Sequence, residues 1–250
     1  AYLVTSRRTF GDLTMFAGVR SVTPGSVLRV DLGSSQPQPV EILSGSRLSR
    51  PVAERPVSAG ACHDVIVDSL LSQLVSDVPV CAFLSGGLDS AILTQLAAEE
   101  RERLGAGALA TWCASAVENG EELGPDPPMA REFAARIGST HTDVHTGESA
   151  FLREWQAHVN HMWQPLSTPN EVAIAETARA IHASGAKVAL SGEGADELFG
   201  GYDGALAAFV AHSSMESPPI DAARFHLELS SWVSPAALGQ VMRGDDTAAI

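Results

Sequence analysis

Short, mostly apolar runs alternate with longer segments in which apolar residues recur at helical spacing. Val80–Leu84, Leu109–Ala114 and Lys187–Leu190 have the length and apolar character of parallel strands buried on both faces. Helices are predicted over residues 58–76, from about Ser90 to the glycines at 105–107, and over 129–137, 151–163 and 171–184. A further strand is expected near His141. This alternation predicts an α/β protein with a doubly wound parallel sheet.

The loop after the first apolar run suits an anion. Ser85-Gly86-Gly87-Leu88-Asp89-Ser90 follows that run directly and opens the next helix. A glycine-rich turn lets backbone N–H groups approach a phosphate, and the positive end of the helix adds to the attraction. A Gly-Gly pair alone would also suit a structural turn, but the flanking Ser, Asp and Ser favour a nucleotide loop. No Gly-Lys-Ser/Thr follows, so this is not a Walker loop. It resembles the pyrophosphate loop of the ATP pyrophosphatases.

A second loop of the same kind follows the apolar run that ends at Leu190. Ser191-Gly192-Glu193-Gly194-Ala195-Asp196-Glu197 carries three carboxylates among glycines. Close carboxylates repel one another unless a cation lies among them. The alternative is a solvated acidic loop, but the glycines indicate close backbone approach and Leu198, Phe199 and Tyr202 indicate packing. Two such loops on one parallel sheet would meet at its carboxyl edge, where ligands bind in open α/β folds.

Together, the two strings resemble the glutamine-dependent asparagine synthetases. They read Leu-Ser-Gly-Gly-Leu-Asp-Ser over 84–90 and Leu-Ser-Gly-Glu-Gly-Ala-Asp-Glu-Leu-Phe-Gly-Gly-Tyr over 190–202. The second string is specific to that family and its near relatives, and the resemblance runs from about residue 14 to about 205. It implies the adenine nucleotide alpha hydrolase-like fold of the ATP pyrophosphatase superfamily.

The resemblance also implies a role for each matching position. The catalytic residues would be Glu193, which is tied to formation of the β-aspartyl-adenylate, and Asp196. The Mg²⁺ ligands would be Asp89 and Asp196, whose carboxylate oxygens are the donors that a hard cation prefers. ATP would be bound by Leu84, Ser85, Gly86, Gly87, Leu88, Asp89 and Ser90 at the phosphates, by Ala114 at the adenine ring, and by Ser191 and Gly192 at a second contact. The implied substrates are ATP, aspartate or a related carboxylate, and ammonia derived from glutamine.

The flanks of this region predict further domains. Residues 16–30 alternate turn residues with short β segments, and the resemblance assigns 1–45 to the remnant of an Ntn-type glutaminase domain. Residues 31–56 are rich in Ser, Pro, Gln and Gly, and within them 46–56 are expected to be a linker. Residues 57–250 would be the synthetase domain, truncated at its C-terminus, with an acidic loop over 118–128 and poorly specified helices over 205–250. The chain would then be an internal piece of a longer protein.

The composition of the chain limits the classes of partner and the cellular location that we expect. A net charge of −14 argues against nucleic acid and anionic membrane surfaces. No apolar run reaches the ~18 residues that a membrane-spanning helix needs. The three cysteines have no paired spacing, so cytosolic thiols and a cytoplasmic protein are expected. For the longer protein, a homodimer is left open as an assembly state.

Two departures from the family keep other functions open. Lys187 is the single lysine, whereas the family uses a lysine well downstream of the second motif for adenylation. Trp163 stands where the family has an acid, in a segment, 161–170, that is expected to form the wall of the amino-acid pocket; Glu171 would be a substitute for that acid. The alternatives are an ATP pyrophosphatase that acts on another carboxylate, of the β-lactam synthetase or lasso-peptide cyclase type, and a non-catalytic nucleotide-binding fragment.

Overall fold

Two units divide the chain in the computed structural model. It describes residues 9, 11–23, 26–33, 39–43, 58–216, 220–221 and 225. One unit contains Ala1–Pro56 together with Ala211–Ile250, and the other contains Val57–Val210. The predicted synthetase domain over 57–250 stays a prediction.

The first unit contains a two-stranded antiparallel sheet. β1 (Val27–Val30) pairs with β2 (Pro39–Leu43), with an irregularity between Val27 and Leu28. An isolated bridge joins Leu13 to Arg20. These elements agree with the predicted β character of residues 16–30, whereas their assignment to a glutaminase domain stays a prediction. The predicted linker over 46–56 lies outside the described residues.

The second unit alternates strands and helices. Its strands are β3 (Val80–Phe83), β4 (Ala110–Glu118), β5 (Glu121–Glu122), β6 (Thr140–Gly147) and β7 (Val188–Leu190). The helices are α1 (Ala59–Leu74), α2 (Leu88–Arg103), α3 (Asp126–Ile137), α4 (Glu148–Met162), α5 (Asn170–Ala183), α6 (Ala195–Phe199) and α7 (Asp203–Ser213), the last of which ends beyond Val210. Within the described ranges, no helix is long and apolar enough to cross a membrane.

The sheet reverses its strand order beside β3. Parallel pairing gives the order β6–β4–β3–β7, and the short β5 adds to β4 in the antiparallel sense. The chain therefore builds outward from β3 through β4 to β6 and then returns to the other side of β3 with β7. In open α/β sheets, ligands bind outside the carboxyl ends of the strands at such a switch point. The loops after β3 and β7 flank it.

Helices cover both faces of the sheet. Alternate residues of β3 point to opposite sides, so Val80 and Ala82 pack with Leu70 of α1 and Ala97 of α2. Cys81 instead packs with Ile181 of α5. The doubly wound parallel sheet predicted from the sequence is confirmed. Leu84 and Cys113 form a further buried cluster with Ala130 and Ala134 of α3, directly below the carboxyl edge.

The prediction of an acidic loop over 118–128 is wrong, because most of these residues belong to two strands and a helix. β4 extends to Glu118, β5 follows after two residues, and α3 begins at Asp126. Asn119 and Gly120 connect the strands with φ angles of 52° and 84°. Positive φ at both positions is the geometry of a two-residue hairpin turn, for which Asn-Gly is the preferred sequence. The prolines at 127–128 occupy the first turn of α3, where a missing N–H costs no helical hydrogen bond.

Candidate functional site

A cleft of about 640 Å³ opens at the carboxyl ends of β3, β4 and β7. Its lining comes from the two loops predicted from sequence, from the segment 123–127 and from the first turns of α5. Ten of the twelve predicted site residues line it: Leu84, Ser85, Gly87, Asp89, Ser90, Ala114, Ser191, Gly192, Glu193 and Asp196. The fold therefore brings residues from three separate stretches of the chain to one place.

Hydroxyl hydrogen bonds shape the loop after β3. Ser90 Oγ accepts from Ser85 N at 3.2 Å and donates to Gly87 O at 3.0 Å, and the Ser85 and Ser90 hydroxyl oxygens are 3.1 Å apart. Ser90 is buried, whereas Ser85 is exposed to the cleft. Gly87 begins α2 without a hydrogen bond from a capping side chain. The loop thus presents the positive end of a sixteen-residue helix to the cleft, which is an arrangement that attracts anions.

Gly86 and Leu88 are the two predicted residues that do not line the cleft. Gly86 has a φ of 80°, and a Cβ there would lie 2.8 Å from Met129 Cβ and 2.9 Å from Asp126 O. This glycine therefore lets the loop rest against the first turn of α3. Leu88 is 75% exposed and does not line the cleft. Both residues belong to the loop, but neither is part of the cleft surface.

The second loop touches the first at Gly192. A Cβ on Gly192 would lie 3.1 Å from both Asp89 Cβ and Ser90 N. Ser191 Oγ accepts a hydrogen bond from Glu193 N at 3.2 Å, which turns the chain toward α6. The glycine is needed because the two loops pack backbone against backbone. The strings at 84–90 and 190–202, one hundred residues apart, thus form one continuous surface.

The end of the second motif positions two carboxylates. Gly200 N and Gly201 N donate to the Asp196 carbonyl at 2.8 and 3.1 Å, and a Cβ on Gly201 would overlap Asp196 Oδ1. Gly201 therefore leaves room for the Asp196 side chain. Tyr202 Oη donates to Glu197 Oε1 at 2.9 Å. That bond, with burial and the nearby charges of Glu197, Asp196 and Glu193, raises the pKa of Tyr202.

The cleft is acidic on one side and apolar on the other. No Lys, Arg or His occurs among its described lining residues. The β4 side contributes apolar groups, Trp112, Ala114, Ala116, Leu123 and Pro125. Five carboxylates also line the cleft: Asp89, Asp126, Glu193, Asp196 and Glu197. An anionic ligand would enter such a cleft only with cations and with the backbone N–H groups of the loops.

Asp89 and Asp196 fit a Mg²⁺ ion that is shared with a ligand. Carboxylate oxygens are the ligands that Mg²⁺ takes, and this ion usually keeps only one or two from the protein beside phosphates and water. Within the part of the chain that the structure describes, no group of three or more His, Cys, Asp or Glu side chains is assembled to hold a metal alone. Asp89 and Asp196 both line the cleft, and their carboxylates are the kind of oxygen donor that Mg²⁺ takes.

Sequence reasoning missed several lining residues. Asp126, Glu197 and Tyr202 line the cleft, although none was predicted to contact a ligand. Glu197 and Tyr202 belong to the second motif, so the motif itself carried the signal. Asp126 begins α3, and nothing local marks that this helix start will face the cleft.

Of the expected pocket wall over 161–170, the cleft includes only the last residue, Asn170. Trp163 ends α4 with a φ of 57° and is 81% exposed, away from the cleft. Glu171, the suggested substitute acid, folds back on its own helix start and accepts from Ser167 N at 2.8 Å and Thr168 N at 3.3 Å. Burial opposes its ionisation, but these hydrogen bonds with that of the Ser167 hydroxyl outweigh it and lower the pKa of Glu171. Only Asn170 reaches the cleft.

Lys187 does not belong to the cleft lining. It precedes β7, where its N–H donates to Pro79 O at 3.4 Å at the amino end of the sheet. Its Nζ lies 3.0 Å from His182 Nδ1. The single lysine of the chain therefore lies at the opposite end of the sheet from a ligand held at the carboxyl edge.

Comparison with known proteins decides the family. The asparagine synthase family model matches residues 61–248. The chain belongs to the asparagine synthase family. The resemblance inferred from the two motifs is thereby confirmed.

Individual relatives are similar over part of their length. Asparagine synthetase [glutamine-hydrolyzing] 1 of Bacillus subtilis is 34% identical over 56% of this chain, and asparagine synthetase B [glutamine-hydrolyzing] of Escherichia coli is 33% identical over 56%. Amidase chyE of Penicillium rubens is 29% identical over 76% of this chain. The matches cover 21%, 26% and 30% of these relatives, respectively, so the chain spans less than a third of each.

Proposed function

We propose that this chain is the part of an ATP-dependent amide-forming ligase that binds the nucleotide and activates a carboxylate. The observation that carries the proposal is the contact at Gly192, where the two motif loops meet beside the switch point of the sheet. A single glycine-rich loop would suit many anions. Two loops that share one cleft, one with hydroxyl groups and one with carboxylates, suit a phosphate chain and its metal.

In this proposal, the triphosphate lies along Ser85–Ser90 at the start of α2. The N–H groups of the loop and the helix dipole bind its oxygens, and the hydroxyl of Ser85 faces the same space. The base lies against the apolar side of the cleft near Ala114 and Leu123. Asp89 and Asp196 would hold Mg²⁺, which supplies the positive charge that the lining residues lack.

The reaction would then proceed in two displacements. A substrate carboxylate oxygen attacks the α-phosphorus of ATP, pyrophosphate leaves, and an acyl-adenylate forms. Ammonia, which a glutaminase domain would release from glutamine, attacks the acyl carbon, and AMP leaves with the carboxylate oxygen. Glu193 lines the cleft between the two loops and would lie beside the adenylate. Positioning the two reactants would supply much of the rate enhancement.

Aspartate is the proposed carboxylate substrate. The alternative of another carboxylate rested on Trp163 replacing an acid, but Trp163 lies outside the cleft. Asp126 and Glu197 line the cleft, and either carboxylate could pair with the ammonium group of a free amino acid. The acidic lining therefore favours a substrate that carries a positive charge beside its carboxylate.

Two measurements test the proposal. Calorimetry should detect Mg·ATP binding to this chain, with affinity lost when EDTA removes the metal. A longer protein that contains this chain should catalyse aspartate-dependent exchange of labelled pyrophosphate into ATP. Absence of Mg·ATP binding to folded chain would refute the nucleotide assignment, and exchange with other carboxylates but not with aspartate would support the alternative substrate class. Nucleotide binding without exchange for any carboxylate would favour a non-catalytic module.

The remaining predictions concern partners. Lys187 does not line the cleft, so we expect a longer protein that contains this chain to supply a cation to it. That the protein does not bind nucleic acid and that it could form a homodimer both stay predictions.

A further inference from the structure

One wall of the cleft has little secondary structure of its own. Residues 123–127 line the cleft; 123–125 connect β5 to α3, and 126–127 are the first two residues of α3. β5 contains only two residues, paired with Val117 and Glu118 of β4. Beyond it, Leu123 N donates to Ala116 O at 2.8 Å. A hairpin arm of this length is marginal by itself, so other contacts must hold the wall in place.

Glu122 provides the first of these contacts. Its carboxylate is held bidentately by Arg131 of α3, with Nη2 2.6 Å from Oε2 and Nη1 2.9 Å from Oε1. Ser115 Oγ donates to the same Oε1 at 3.1 Å. The hydrogen bonds from Arg131 are the main cause that lowers the pKa of Glu122 to about 2. The residue immediately before the wall is therefore fastened to the helix immediately after it.

Arg131 makes a second attachment to the sheet. Its Nη1 also donates to Asp143 Oδ2 of β6 at 2.8 Å. The other oxygen of Asp143 lies 3.2 Å from His141 Nε2, and His141 Nδ1 lies 2.9 Å from Thr111 Oγ1 of β4. Asp143 and His141 side chains are 12% and 9% exposed. One guanidinium thus ties α3 and β5 to the interior of the sheet.

The same helix rests on the phosphate-side loop. Asp126 O and Met129 Cβ, in the first turn of α3, are the atoms that a Cβ on Gly86 would meet. The first turn of α3 therefore contacts the loop, and the next turn carries Arg131, which binds Glu122. Any shift of α3 against β5 changes the distance between the wall and the loop, and with it the width of the cleft.

We propose that Arg131 is a positioning residue of this cleft: by joining Glu122 to Asp143 it fixes residues 123–127 at the distance from the Ser85–Ser90 loop that the base of a nucleotide requires. The proposal rests on the proposed nucleotide binding, and Arg131 itself does not line the cleft. Its loss would loosen the base side and leave the phosphate side intact, because the Ser85–Ser90 loop keeps its own hydrogen bonds.

Arginine is required because its planar guanidinium reaches two carboxylates at once. A lysine in its place would be a point charge that satisfies Glu122 or Asp143 but not both in bidentate geometry. Without the guanidinium, Glu122 would keep only His145, at 3.7 Å, as a basic neighbour among the described residues, and Asp143 would keep only His141, at 3.2 Å. We therefore expect Arg131→Lys to fall between the wild type and Arg131→Met.

The test separates the base from the phosphates. Calorimetry on this chain would compare Mg·ATP with Mg·pyrophosphate for the wild type, Arg131→Lys and Arg131→Met. We expect Arg131→Met to weaken Mg·ATP binding about tenfold, equivalent to ~1.4 kcal/mol, with less than about a twofold change for Mg·pyrophosphate. The matched control is Arg136→Met on the same helix, which removes an exposed pair with Glu132 at 3.4 Å and should leave both affinities unchanged. Unchanged Mg·ATP affinity in Arg131→Met, or an equal loss for both ligands, would overturn the proposal.

A measurement without ligand keeps this inference distinct from the proposed function. Hydrogen exchange at the Leu123 amide reports whether the wall stays paired with Ala116. The Leu123 amide should exchange faster in Arg131→Met than in Arg136→Met, while amides of β3 keep their protection. An unchanged rate would refute the clamp whether or not ATP binds. Failure of the wild type to bind Mg·ATP, with the clamp intact by exchange, would instead refute the nucleotide assignment and the base-positioning role together.

Discussion

Replacement of Gly86 by alanine tests the contact between the first loop and α3. Gly86 has a φ of 80°, and an added Cβ would lie 2.8 Å from Met129 Cβ, 2.9 Å from Asp126 O and 3.1 Å from Ala130 N. Two of these three atoms belong to the backbone of a helix, so they cannot rotate away. Either the loop or the first turn of α3 must therefore move.

The structure gives the size of the effect. An L-residue in the left-handed region costs about 1–2 kcal/mol, and an overpacked site costs about 1–3 kcal/mol more. The alanine regains about 0.4–1 kcal/mol through the unfolded chain. We expect Gly86→Ala to lose about 2–3 kcal/mol, which corresponds to a fall in melting temperature of about 5–10 °C.

Gly138→Ala is the matched control. Gly138 ends α3 with a φ of 67°, and nothing lies within 4 Å of an added Cβ. This variant has the backbone strain without the clash, so it should lose about 0.5–1 kcal/mol or roughly 1–4 °C. Thermal unfolding followed by circular dichroism measures both. If the two variants melt within about 1 °C of each other, the close contact at Gly86 is not as described. Mg·ATP affinity should fall only in Gly86→Ala, because the displaced loop is the proposed phosphate site.

Three further predictions concern the second loop and α5. Gly201→Ala should displace the Asp196 carboxylate and raise the Mg²⁺ concentration that ATP binding requires. The control is Gly204→Ala, which should leave this concentration unchanged because nothing lies within 4 Å of an added Cβ; equal Mg²⁺ requirements in the two variants would contradict the prediction. Asp196→Asn in the longer protein should reduce pyrophosphate exchange at least tenfold with an unchanged melting temperature, since losing a metal ligand removes several kcal/mol of charge stabilisation. The folded-state pKa of Glu171 is lowered, so its stabilising effect is complete above its unfolded pKa of ~4.3 and disappears as pH falls further. Unfolding titrations should show Glu171→Gln less stable than wild type at pH 7 and equal to it near pH 2; a gap that persists in acid would show that another interaction is responsible.

The sequence by itself determined the class of fold and the two loops. Apolar runs such as Val80–Leu84 are local patterns, and burial on both faces of a sheet demands them wherever the strand lies. The loops follow these runs in the chain, so parallel pairing places both at the same edge. The two loops come together because β3 and β7 are parallel neighbours in the sheet, so that both strands end at the same edge.

The hairpin at Asn119–Gly120 shows where local patterns were insufficient. The turn sequence was present, but the acidic residues around it favoured a loop. Glu122 becomes a strand residue because Arg131, nine positions later in the chain, neutralises it. Only the tertiary structure brings that arginine to it, through the packing of α3 over β4 and the edge of β6.

Trp163 and Glu171 do not line the cleft, for a related reason. The sequence places both near the start of α5, but the direction of each side chain depends on how α4 ends and how α5 is capped. A left-handed residue at 163 points its ring to solvent, and backbone N–H groups at 167 and 168 take the carboxylate of Glu171. The sequence thus determined which strands and loops exist, because they depend on neighbours in the chain. The tertiary structure decided which charges meet and which side chains face the cleft, because those depend on the register between strands and on the packing of helices across them.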